Sequence, residues 1–106
     1  MKLPNAEHAV VDIEKLRDYA LSPGHDEGQH KARVFRAALD FTREDAGRLR
    51  TLILEAALHE EASQGKLIRH GQLYTMDFMV AGVAVRTGWI VEHKTDFPRL
   101  ITCYVL

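Results

Sequence analysis

Apolar positions recur every three or four residues through the first half of the chain, and every second residue from Leu73 onward. These are the periods of a helix face and a strand face. Ile13, Leu16 and Ala20 share one face of a helix predicted over 12–21, with Asp12 as its N-cap and Ser22-Pro23-Gly24 as its stop. A second helix is predicted over 30–39, where Val34, Ala38 and the i,i+4 pair Phe35/Leu39 supply the apolar face. Thr42-Arg43-Glu44-Asp45 has the form of a capping box, with Asp45 where Glu or Gln usually stands. It opens a third predicted helix over 43–62, whose stripe is Ala46, Leu49, Leu52, Ile53, Ala56 and Ala57 and whose last turn holds Glu60 and Glu61. Ser63-Gln64-Gly65 ends that helix.

Residues 73–81, 83–92 and 99–105 read as three strands, and the apolar run Ala9-Val10-Val11 as a short edge strand. Gly82 marks a tight turn and 93–98 a longer one. Links this short make neighbouring strands antiparallel. The expected fold is therefore α+β in a single domain, 1–106, with three helices packed on one face of a three-stranded antiparallel meander.

Composition narrows the function classes. The chain has 106 residues, 46% apolar and 27% charged, with a formal net charge of −1. That is an ordinary globular composition, and its charge is not that of a nonspecific nucleic-acid binder. A local basic cleft remains compatible with it, because the field depends on arrangement as well as sum. No apolar run reaches the length of a membrane span, and the N-terminus has no signal-peptide core. The single Cys103 sits in an apolar strand and reads as a buried hydrophobe, in keeping with a reducing, cytoplasmic setting. His8, His25, His30, His59, His70 and His93 form no i,i+4 pair, and there is no Cys-x-x-Cys or His-Glu-x-x-His. No metal site and no cofactor are expected.

Two clusters carry candidate chemistry. Gly28-Gln29-His30-Lys31-Ala32-Arg33-Val34-Phe35-Arg36 concentrates one imidazole and three cations at a predicted helix start, where free N–H groups already favour an anion. His30 has the chemistry to move a proton near neutral pH, and His25 flanks it across Gly28. The same cations could equally form a solvated face over Val34 and Phe35. The second cluster is Arg99, Thr102 and Tyr104 in the last strand. If Ile101, Cys103 and Val105 face the core, simple alternation puts Thr102 and Tyr104 on the other face but leaves Arg99 with the core set. Thr87 and Trp89 share one face of the preceding strand and Arg86 lies on the other, opposite a mid-strand Asp77 that Arg86 is placed to pair.

The segments Lys2-Leu3-Pro4-Asn5-Ala6-Glu7, Leu21-Ser22-Pro23-Gly24-His25 with Gly28-x-His30-Lys31-Ala32-Arg33-Val34-Phe35, and Thr87-Gly88-Trp89-Ile90-Val91 with Pro98-Arg99-Leu100-Ile101-Thr102-Cys103-Tyr104-Val105 resemble an uncharacterised family of short bacterial proteins. Members stand alone or form the C-terminal domain of polymorphic-toxin and phage head-morphogenesis-type proteins. The layout of helices and then a meander also resembles the barnase–EndoU–colicin–RelE group of ribonuclease toxins. That resemblance implies a metal-free endoribonuclease paired with a small cognate antitoxin or immunity protein and acting on single-stranded RNA. It implies His30, Lys31, Arg99, Thr102 and Tyr104 as catalytic residues, and His25, Arg33, Arg86 and Thr87 as substrate-binding ones. The alternatives are a non-catalytic module that binds a small partner protein and a degenerate toxin fold.

Overall fold

The mid-chain change of period becomes a change of layer. In the computed structural model, which describes residues 1–106, helices occupy the first part of the chain and a sheet the rest. Helix α1 (Ile13–Lys15) runs on into a wider turn over Leu16–Ala20, closed by the Leu21 N–H on the Leu16 carbonyl at 2.8 Å. Helix α2 spans Gln29–Leu39 and stops at Asp40, whose φ of 55° is left-handed. A single tight turn, Arg43–Asp45, leads into α3 (Ala46–His59). There the Asp45 carboxylate accepts the Thr42 backbone N–H at 2.8 Å, the reach-back half of the capping box.

The sheet has four antiparallel strands in the order of the chain, β1 (Ala62–Ile68), β2 (Gly71–Val80), β3 (Val83–Glu92) and β4 (Arg99–Val105). The expectation of three strands is thus corrected to four. The extra strand took residues assigned to the end of the third helix and to the loop after it. That helix stops at His59, and Glu60 is already extended, with ψ 151°. Strand β1 escaped the periodicity because only Ala62 in it is buried, so nothing selects apolar residues at alternate positions. Its pairing with β2 shifts by a bulge between Gln64 and Leu67, where the Gln72 side-chain amide donates to the Gly65 carbonyl at 2.8 Å. The run 9–11 contributes one parallel bridge, Val10 to Arg99.

Paired residues of an antiparallel ladder point to the same side. Met76 and Phe78 of β2, Val85, Thr87 and Trp89 of β3, and Leu100 and Cys103 of β4 are buried on one side. Leu16, Phe35, Leu49 and Ile53 from the helical half join them in one core. The buried face of α2 is Ala32 and Phe35, whereas Val34 and Ala38, expected inside, are exposed.

Candidate functional site

The decisive local feature is in β4. Gly88 pairs with Thr102, but Trp89 pairs with Leu100, so Ile101 is an extra residue, a bulge. One inserted residue inverts the alternation on one side of it. Leu100 and Cys103 therefore both enter the core, while Arg99, Thr102 and Tyr104 all lie on the opposite face, across from Ile90, Gly88 and Arg86. Simple alternation had separated Arg99 from the other two; the bulge reunites them.

Helix α2 brings Lys31 to this strand. The Lys31 Nζ donates to Thr102 Oγ1 at 3.0 Å. It also lies 5.0 Å from the Tyr19 ring centre and 5.6 Å from that of Tyr104, within cation–π range of both. The ammonium is thus held by a hydroxyl and two aromatic faces, with no carboxylate on it. Next to it Cys103 is buried, and burial pushes its thiol up to about 12 against the opposing pull of the Lys31 charge. A thiol so placed is inert.

A cleft of about 730 Å³ opens beside Lys31, lined by Ile101 and Thr102 of β4 and by Asp12, Glu14, Lys15, Asp18, Tyr19 and His25. His25 packs edge-on against Tyr19, ring centres 4.6 Å apart. Its Nδ1 accepts the backbone N–H groups of Glu27 and Gly28, each at 3.0 Å. A ring nitrogen that accepts carries no proton, so the neutral ring has its hydrogen on Nε2 and offers the cleft a donor. Gly28 is required here because a Cβ would lie 2.2 Å from the Tyr19 carbonyl oxygen.

The carboxylates differ in their freedom. Asp18 is bonded by Arg17 and by Arg43, and these two hold its carboxyl down to about 2. Asp12 takes Arg99 at 3.1 Å, and Arg99 is shared with Glu92 at 3.6 Å. Glu14 forms no ion pair and is exposed.

The remaining predicted residues are dispersed. His30 is exposed and lies in the lining of neither principal groove. Arg33 turns away from Lys31, because positions two apart on a helix face different ways, and it lines a separate groove with Arg36 and Arg43. Arg86 makes two bonds of 2.9 Å to Asp77, as its position opposite predicted. That pair lowers the Asp77 pKa and, with a smaller contribution from Tyr104, raises that of Arg86. Thr87 is fully buried: its hydroxyl donates to the Met76 carbonyl at 2.6 Å and accepts the Trp89 indole N–H at 2.7 Å, leaving no surface for a substrate. Tyr19, Glu14 and Asp12 were not among the expected site residues. The one available signal was that Tyr19 falls outside the Ile13, Leu16, Ala20 stripe.

A family model described as "Domain of unknown function (DUF6883)" matches residues 2–106. The chain belongs to the DUF6883 family. No curated protein and no solved structure matches it. No helix of this DUF6883 domain is long and apolar enough to cross a membrane. No three His, Cys, Asp or Glu side chains gather as metal ligands would.

Proposed function

We propose that this domain is a small toxin-like endoribonuclease that cleaves RNA phosphodiesters without a metal, in the Lys31 cleft, and is held in check by a cognate antitoxin or immunity protein. The observation that carries the reading is the Lys31–Thr102 bond, which joins a cation of the helical part to the last strand at an open cleft. A cation fixed before substrate arrives stabilises developing phosphorane charge at little reorganisation cost.

In this scheme the Glu14 carboxylate, which forms no salt bridge, takes the proton of a ribose 2′-OH. The 2′-oxygen attacks phosphorus, the P–O5′ bond breaks, and the Lys31 ammonium gives its proton to the departing 5′-oxygen. The products are a 2′,3′-cyclic phosphate and a 5′-hydroxyl. Thr102 and the His25 Nε2–H hydrogen-bond the phosphate oxygens, and Tyr104 offers a ring for a base. His25 acts as a donor and not as a base, because its other nitrogen is already engaged. His30 has no part in this chemistry.

A non-catalytic interaction module is the second reading, favoured by the charge of the cleft lining, where Asp12, Glu14 and Asp18 outnumber Lys15 and Lys31 and oppose a polyanion. One experiment separates the two. Purified wild type, Lys31→Ala and Arg33→Ala are incubated with single-stranded RNA, and cyclic-phosphate ends are counted. The nuclease reading expects cleavage by wild type and Arg33→Ala, and a loss of roughly a hundred-fold or more in Lys31→Ala. Intact RNA with all three proteins leaves the interaction module.

A further inference from the structure

A second groove, of about 850 Å³, lies on the other side of α2 from the Lys31 cleft. Gln29, Arg33 and Arg36 follow one another along α2 at helical spacing and form one wall; Thr42, Arg43 and Glu44 belong to the facing wall. Its accessible apolar lining is Pro23 and Ala37, over a base of Leu21, Ala32 and Phe41 that is almost fully buried. Helix α2 contains no carboxylate anywhere between Gln29 and Leu39.

Two of the three arginines already hold carboxylates: Arg36 contacts Asp40 at 2.9 Å and Arg43 contacts Asp18 at 2.9 Å. Arg33 is exposed and forms no ion pair. Its planar fork suits a carboxylate better than a point charge would. The groove is too large for a lone anion and part of its accessible lining is apolar, so its ligand has side chains to bury. A nucleic acid fits it poorly. The one aromatic in its lining is Phe41, too deeply buried to offer a face to a base, and the lining also includes the Glu44 carboxylate.

We propose that this groove docks an acidic, amphipathic peptide segment of a partner protein, with apolar side chains against Pro23 and Ala37 and a carboxylate on Arg33. The inference goes beyond the nuclease reading and does not rest on it, since none of these residues lines the Lys31 cleft.

The test is a titration followed by backbone-amide NMR of the full chain. Three probes are used: a synthetic peptide of repeating Glu-Leu-Leu-Glu units, the same peptide with Lys for Glu, and a single-stranded RNA oligonucleotide. The expected result is saturable shifts at Ala32, Arg33, Phe41 and Thr42 with the Glu peptide only, weakened by salt. Arg33→Glu, an exposed position that leaves the core untouched, should lower the affinity about ten-fold or more, the loss of a charge-assisted hydrogen bond. Arg33→Ala is the second variant should the first disturb the fold. Shifts at these amides with RNA in place of the Glu peptide, peptide shifts at Lys31 and Thr102 instead, equal response to the Lys peptide, or unchanged affinity in both variants would overturn the proposal.

Discussion

Lys31 and Thr102 are 71 positions apart in sequence and 3.0 Å apart at their polar ends. Because the ammonium is half-buried and has no carboxylate partner, this bond should couple helix and strand measurably. In a double-mutant cycle of Lys31→Met and Thr102→Val, the coupling energy from denaturant unfolding is expected at about 0.5–1.5 kcal/mol. A value within error of zero would show that the two side chains are independent.

Gly88 and Gly28 predict opposite outcomes for the same substitution. A Cβ at Gly88 would lie 2.8 Å from the Thr102 methyl, a side-chain atom that can rotate away. Gly88→Ala should therefore keep the fold but lose the Lys31–Thr102 coupling. A Cβ at Gly28 would lie 2.2 Å from the Tyr19 backbone oxygen, which cannot. Gly28→Ala should cost roughly 1–3 kcal/mol, as overpacking does, and loosen His25, with both effects read by thermal melts and the His25 NMR signals.

Asp18 sets a pH signature. Arg17 and Arg43 lower its folded pKa to about 2 from a usual value near 3.8. A depressed carboxyl contributes stability above its unfolded pKa and loses it as pH falls through the folded one. Asp18→Asn should therefore be less stable than wild type at neutral pH, the gap closing between about pH 4 and pH 2. Parallel stability curves across that window would contradict the assignment.

The β2–β3 turn can be improved. Ala81 and Gly82 both have positive φ, 48° and 79°, the requirement of a two-residue type I′ turn. Glycine meets it freely and alanine does not. Ala81→Asn, at an exposed site, should raise stability by about 0.5–1 kcal/mol, measured as a shift in the denaturation midpoint.

Cys103 should resist thiol reagents in the native state. Burial both blocks access and pushes its pKa to about 12. Iodoacetamide at neutral pH is expected to modify the denatured protein and leave the folded one unlabelled.

The sequence readily shows structure wherever burial alternates. β3 and β4 have the predicted limits, 83–92 and 99–105: β3 alternates inner and outer positions, and β4 does so on either side of its bulge, between the turns that bound them. β1 shows no such pattern, since six of its seven residues are exposed and an edge strand held by backbone pairing leaves little mark on side-chain choice. The candidate site was half legible. Lys31, Thr102, Tyr104 and His25 stood out by residue type and now lie together, but the bulge at Ile101 that aligns Arg99 with them leaves no trace in an apolar run. Nor does a basic run reveal how a helix divides it. Lys31 goes to one groove and Arg33 to another because 100° separates successive residues.

Trp89 is the only tryptophan in the chain. Its indole N–H is bonded to Thr87 in the interior, and its neighbour Gly88 lies against the Thr102 methyl. The molecule thereby carries its own fluorophore, shielded from water at the sheet centre and one residue from the cleft wall. Its emission should redden on unfolding and shift slightly when a ligand moves Thr102, so both folding and cleft occupancy are open to unlabelled spectroscopy.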